Sequence, residues 1–293
     1  MSTFVLLTIT GLGLGALYFL IASGLSLIYG LMGVLNFAHG AFLTVGAYAM
    51  WFVESKLTGI AVLPRFLLGS LAGLVVGAVF AALVELVLIR PLYKRHIEQV
   101  LVTVGLGLAT TALVVAIWGN DARPVPAPAW LGRTTTVLGA HIPNDRWVLI
   151  VTAVAVLAAL NAFLRRTRYG LIIRAGVENR AMVTALGIDV RRAFTLVFAI
   201  GGVAAALAGV LSGVYFSTVD PARGTSLLIF AFIVVVIGGL GSLRGTAAAA
   251  VVVGLVQQYA NYYASSGLGD LSVVLLLGLV LLVRPRGLSG SFA

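Results

Sequence analysis

Apolar runs close to twenty residues long recur from one end of this chain to the other. Nine can be drawn, over residues 4–29, 34–53, 65–89, 98–119, 147–164, 194–218, 226–240, 246–262 and 270–283. A helix needs about 20 apolar residues to cross the hydrocarbon core of a bilayer, and several of these runs reach that length. They are rich in Leu, Val and Ala and lack the alternation of a barrel strand, so the spans are expected to be helices. Composition points the same way. The 293 residues are 61% hydrophobic and only 10% charged, whereas a soluble domain is about 25% charged. Too little polar surface exists to cover a water-soluble globule. The expectation is an all-α polytopic transmembrane helical bundle, a single domain over residues 1–293, with about 8–10 spans that include discontinuous or re-entrant segments. The first run has no basic stretch before it and outlasts a signal h-region, so it reads as a retained span.

The polar exception is Arg165 to Arg192, which carries seven arginines: Arg165, Arg166, Arg168, Arg174, Arg180, Arg191 and Arg192. Basic loops resist translocation, so this segment is expected on the cytoplasmic side of the membrane. Strict alternation then places 90–97, 241–245 and the C-terminus on the same side. The inside pieces hold thirteen Lys and Arg residues and the outside pieces six (Lys56, Arg65, Arg123, Arg133, Arg146 and Arg223), which is the sign the positive-inside rule requires. The net charge of +10 therefore reflects topology and gives no reason to expect nucleic acid. Nine crossings would leave the N-terminus outside. The longest outside loop, 120–146, has prolines at 124, 126 and 128 and reads as an ordered extracytoplasmic cap or a plain connector.

Glycine spacing carries further information. Gly69, Gly73 and Gly77 form a small-xxx-small row; Gly201, Ala205, Gly209 and Gly213 form a second, and Gly11 and Gly15 a shorter one. Such rows let helix backbones approach closely, here more within one subunit than across a dimer seam. Two other glycine-bearing stretches look like interrupted spans: Tyr29 to Tyr48, where Gly30 and Gly33 precede Asn36, His39 and Gly40, and Ile237 to Gly254, which contains Gly238, Gly239, Gly241 and Gly245. Discontinuous helices near the bilayer midplane are where transporters bind solute. The candidate substrate path is therefore Asn36, His39 and Gly40 with Gly238, Gly239 and Gly241. Asn36 and His39, three apart, share a helix face, and His39 reads either as cavity-lining or as a satisfied interhelical hydrogen bond. Glu85 is expected to pair with the positive end at Arg90 or to snorkel, and Asp270 to cap a helix.

Several chemistries have no sequence support. The only lysines are Lys56 and Lys94 and no Walker loop occurs, so ATP is not expected to bind this chain. With three scattered histidines and no cysteine, neither a metal site nor a disulfide framework is expected. A membrane enzyme would have to use His39 with Glu85 or Asp270. A stand-alone channel or secondary carrier for a small neutral solute, such as urea or an amide, stays open beside a permease subunit.

Five blocks in order resemble the permeases of branched-chain amino acid ATP-binding cassette importers: Asn36-Phe37-Ala38-His39-Gly40 after GLSLIYGLMGV; Arg90-Pro91-Leu92 followed by LVTVGLGL; Arg174-Ala175 with ENRAMVTALGIDVRRAFTLVFAIGGVAAALAGVL; IGGLGSLRG; and Arg284-Pro285-Arg286-Gly287-Leu288. The resemblance is to the shorter of the two permease types of the branched-chain and urea permease family. It implies a multi-pass protein of the bacterial cytoplasmic (inner) membrane with a cytoplasmic C-terminus. Its implied partners are a second permease subunit, two cytoplasmic ATPase subunits that hold the ATP and magnesium, an extracytoplasmic solute-binding protein and membrane lipid. No cofactor is implied for this chain. Many relatives carry an acidic residue directly after the first block, where this chain has Ala41. The family's coupling segment to the ATPase maps onto Ala175, Glu178, Asn179, Arg180, Ala181 and Gly187, within the 165–192 loop. There Ala, Met, Val and Leu are expected on one face of a short amphipathic helix that ends at Gly187.

Overall fold

A computed structural model describes residues 2–33, 35–93, 95–178, 180–185, 187, 190–265 and 267–289. Each of the nine apolar runs becomes a helix: α1 (Ser2–Met32), α2 (His39–Lys56), α3 (Val62–Val84), α4 (His96–Trp118), α5 (Asn144–Arg166), α8 (Val190–Tyr215), α9 (Arg223–Gly238), α10 (Leu243–Tyr263) and α11 (Leu268–Val283). Two short helices, α6 (Arg168–Glu178) and α7 (Arg180–Ala185), occupy the arginine segment. Among the described residues, α1, α3, α4, α5 and α8 are long and apolar enough to cross a bilayer alone. α9 and α10 qualify only together, bent by 119° at their junction. The fold is a polytopic helical bundle.

α1 and α8 are the most enclosed spans and form its centre, while α4 and α5 are mostly exposed. Leu27 and Ile28 near the end of α1 pack with Ile89, Ile173 and Phe194, so the ends of α1 and α3 lie beside α6 and the start of α8. At the opposite end, 120–146 folds into β-structure. Arg123–Pro124 (β1) pairs with Thr218–Val219 (β4), and Thr134–Val137 (β2) pairs with Ala140–Pro143 (β3). The hairpin turns through Leu138 and Gly139, both at positive φ (48° and 79°), the geometry that two-residue hairpins favour. Ala140 and Ile142 point inward and are buried.

The small-residue rows pack inside this one chain. Gly73 of α3 lies against the backbone of Gly46 in α2, and Gly77 lies against Gly202 and Ala206 of α8. Gly11 and Gly15 face Gly254 and Ala250 of α10. Where lipid gives helices no hydrophobic reason to associate, such backbone approach supplies the packing contacts. Gly209 is the tightest case, because a methyl group there would overlap the carbonyl of Leu43.

α3 does not end cleanly. It passes into a π-helical turn, Glu85–Ile89, and then a 3₁₀ turn, Arg90–Leu92. Pro91 has no amide hydrogen to donate and cannot continue the α-helical ladder. Glu85 stands at the start of the wide turn, four residues past Ala81 on the row that α3 buries, and is itself fully buried.

Gly209→Ala is expected to lower stability in detergent by about 1–3 kcal/mol through overpacking. Gly105→Ala, where nothing lies within 4 Å of the added carbon, should stay within about 1 kcal/mol of the parent. Thermal unfolding of the two purified variants makes the comparison.

Candidate functional site

The first break lies between α1 and α2. Gly33, at φ +65°, donates its amide to the Tyr29 carbonyl 2.7 Å away and ends α1. Among the described residues helical structure resumes at His39. The Asn36 side-chain carbonyl accepts the Ala38 amide at 3.0 Å, an Asx-type turn that starts α2. The Phe37 amide donates to Thr103 Oγ1 of α4 at 3.3 Å. Thr103 is seven residues inside α4, roughly 10 Å from its start, so this irregular backbone lies at membrane depth. The Phe37 ring meets Phe232 of α9 at 4.8 Å.

His39 is fully buried and its Nε2 lies 3.0 Å from the carbonyl of Ile21 in α1. A carbonyl can only accept, so Nε2 carries the proton and Nδ1 is left as an acceptor. His39 Nδ1 and Asn36 Nδ2 are both buried with no hydrogen-bond partner among the described residues. The ring fits because α1 has Gly24 opposite it; a Cβ there would come within 2.9 Å of the imidazole. Gly40 packs its backbone on Gly224 at the start of α9. His39 thus makes the interhelical hydrogen bond that was one of its two readings, and keeps one polar atom over.

The second break joins α9 to α10. Gly239 and Gly241 take φ +96° and +80°, and Ser242 caps α10 by accepting the Gly245 amide at 3.1 Å. The carbonyls that α9 leaves open are closed by the C-terminal tail. The Leu288 amide donates to the Ile237 carbonyl at 2.8 Å, and Ser289 Oγ to the Gly238 carbonyl at 2.7 Å. Gly241 packs on Gly30. The structure therefore makes two separate glycine seams of the six residues: Asn36, His39 and Gly40 meet α1 and the start of α9, and Gly238, Gly239 and Gly241 meet the tail and the end of α1. Sequence reading missed the tail's part, although the Arg284–Leu288 block marked the place.

Two acidic residues depart from expectation. Glu85 forms no ion pair with Arg90 among the described residues; its carboxylate accepts from the hydroxyls of Tyr93 and, at 2.6 Å, Thr195 of α8. Asp270 does not cap α11, whose cap position is Gly267. It accepts from Gln257 Nε2 at 2.7 Å, and Gln257 Oε1 accepts from Tyr18 at 2.7 Å, which ties α1, α10 and α11 together.

In the arginine segment the described residues on either side of position 179 are helical. Ala175 is half-buried in α6, Glu178 ends α6, and Arg180 and Ala181 open α7, while Asn179 lies outside the described residues. Val183 is buried against Ile173 and Phe194, but the neighbouring Met182 is 61% exposed, so the apolar side chains divide between two faces. Gly187 has φ +78°, the left-handed conformation of a residue that follows a helix. Beside this segment an open cleft of about 630 Å³ is lined by Leu86, Arg90, Arg192, Thr195, Leu196 and Ala199.

A bundle of membrane-length helices, broken twice by glycine-rich turns with polar atoms inside, is the architecture of a membrane permease. The chain belongs to the family described as the permease component of branched-chain amino acid transport systems, which it matches over residues 7–284. It is similar to the high-affinity branched-chain amino acid transport system permease protein LivH of Escherichia coli (strain K12), at 30% identity over 96% of this chain and 93% of that protein. The corresponding BraD permease of Pseudomonas aeruginosa is 29% identical over 96% of this chain and 94% of its own length. A fructose import permease, FruF of Bifidobacterium longum, is 29% identical over 85% of this chain and 69% of its own. No solved structure gives a significant match to the chain.

Thr195→Val, which removes one of the two hydroxyls from the buried Glu85 carboxylate, is expected to cost about 1–3 kcal/mol. Adding Glu85→Gln should recover most of that loss. The midpoint of thermal unfolding in detergent is the readout.

Proposed function

We propose that this chain is one of two membrane subunits of an ATP-binding cassette importer that moves branched-chain or related amino acids across the bacterial cytoplasmic membrane. The observation that carries the reading is family membership over residues 7–284, nearly the whole chain. Two ATPase subunits, a second permease and an extracytoplasmic solute-binding protein complete the assembly. ATP and magnesium belong to the ATPases, and this chain performs no chemistry itself. The arginine end is cytoplasmic, the C-terminus lies there, and 120–146 faces the binding protein. A stand-alone channel or carrier fits less well, since the matched relatives carry permease-component names.

In this reading the solute passes the first break. Asn36 Nδ2 and His39 Nδ1, buried and without a hydrogen-bond partner among the described residues, are one donor and one acceptor held at membrane depth, where an unmet polar group is costly. As the two permeases change their packing, these atoms become available to the polar groups of the solute. Gly238, Gly239 and Gly241 form the hinge between α9 and α10 that such movement needs, and the positive φ at two of them keeps that turn open to glycine alone. Ala175, Glu178, Asn179, Arg180, Ala181 and Gly187 receive the ATPase through α6, α7 and the turn after them.

Co-expression with the neighbouring genes and purification through a tag on this chain should recover a second permease and two ATPases; a lone protein would sink the importer reading. Arg180→Glu and Gly187→Pro are expected to leave the assembly inserted while separating ATP hydrolysis from transport. Normal coupling in both variants would remove the interface from this segment. Each polar partner lost from a desolvated solute costs about 1–3 kcal/mol. Asn36→Ala with His39→Ala should therefore weaken uptake by roughly tenfold or more, and unchanged uptake would make both residues packing elements only. Uptake of sugars in place of amino acids would move the substrate class toward that named for FruF.

A further inference from the structure

We propose that α4 forms one wall of the solute path and that Gln99 binds the solute there. This rests on the path proposed for the first break and extends it along the membrane. α4 turns most of its surface outward, and Leu101, Leu108, Leu113 and Ile117 are each more than 60% exposed. The residues it buries are Gln99, Thr103, Thr110 and Val114, three of them polar. Steps of four and seven residues put those three on one face, over roughly 16 Å of helix. A polar row turned away from lipid marks a helix that faces a neighbour or a cavity.

The threonines are spent on their own helix and on the break. Their hydroxyls donate to the carbonyls of Val100 at 2.9 Å and Leu106 at 2.8 Å, and Thr103 also accepts the Phe37 amide. Gln99, one turn from Thr103, has no such use. It is fully buried, and neither its amide nitrogen nor its oxygen has a hydrogen-bond partner among the described residues. A subunit docking on the outer surface of α4 cannot reach a side chain with no exposed surface; a solute moving between the helices can. The break lies beside this row, because the Phe37 carbonyl packs against Gly107. Asn36 Nδ2 and Gln99 Nε2 are then two donors, and His39 Nδ1 and Gln99 Oε1 two acceptors. The zwitterion of an amino acid brings a carboxylate, which only accepts, and an ammonium, which only donates. Two donors and two acceptors with no net charge among them match a solute that is dipolar and neutral overall.

The test uses the full chain in its complete assembly, in cells supplied with labelled leucine, and the variant Gln99→Met, which keeps the length of the side chain and removes both amide atoms. Since those atoms have no partner to lose, the midpoint of thermal unfolding should hold or rise. Uptake at limiting leucine should fall by roughly tenfold or more. Unchanged uptake, whatever the stability, would overturn the assignment. Uptake lost together with a subunit of the assembly would make Gln99 a packing residue and likewise overturn it. A second readout does not depend on which solute is carried. The chain has no cysteine, so Gln99→Cys and, at an exposed position, Leu108→Cys each place a single thiol on α4. A small water-soluble thiol reagent applied to membrane fragments should modify position 99 and leave position 108 unmodified, and leucine should slow the modification. Modification at neither position, or equally at both, would overturn the wall. Failure of the parent assembly to take up any amino acid, with position 99 still modified, would sink the importer reading and leave α4 as the wall of a path for another neutral solute.

Discussion

Inside hydrocarbon no water is available to a backbone amide or carbonyl, so wherever a helix stops the protein must supply the missing partner itself. This chain has two glycine-rich breaks between helices, and much of its architecture follows from how each is closed. Between α1 and α2 the work is done locally and by one neighbour: Asn36 takes the Ala38 amide, and Thr103 of α4 takes that of Phe37. Between α9 and α10 it is done at long range, by Leu288 and Ser289 on the last carbonyls of α9. The C-terminal tail is therefore part of the bundle, bonded to the end of α9 where the chain bends by 119° into α10.

Close backbone packing sets where the polar atoms can go. α8 sits between α1, α2 and α3 because Gly201, Gly202 and Gly209 let each neighbour approach to contact. The same absence of side chains at Gly24 makes room for the His39 imidazole, whose hydrogen bond to Ile21 holds the start of α2 against the middle of α1. A buried polar ring is tolerated there because one nitrogen is bonded. Its other nitrogen, with the Asn36 amide, supports the solute path proposed for this seam.

The arginine end combines two kinds of charge management. Glu85 lies on the buried row of α3 and is met by the hydroxyls of Tyr93 and Thr195. Arg90 and Arg192 line a cleft next to the α6–α7 segment proposed to receive the ATPase, and α8, which begins at Val190, links that end to the central packing.

Much was legible in the residues alone. The nine helices follow from apolar runs of bilayer length, because hydrocarbon forces any such run to bond its own backbone. The intrachain glycine contacts follow from four-residue spacing, which puts small residues on one helix face. The breaks were visible as glycine beside Asn36 and His39, and membership of the permease family as ordered sequence blocks. What the sequence could not decide depends on which helix lies next to which. Glu85 was expected to pair with Arg90, five residues along the chain, or to snorkel, but it lies on the buried row of α3 and accepts from Tyr93 and from Thr195 of α8. Asp270 was expected as a cap and instead accepts from Gln257 of α10. The 175–187 stretch was expected to gather its apolar residues on one face, yet Val183 lies inward and Met182 outward. Periodicity reports the preference of a helix for an apolar surface; only the packed neighbours fix which surface that is and which polar group meets its partner.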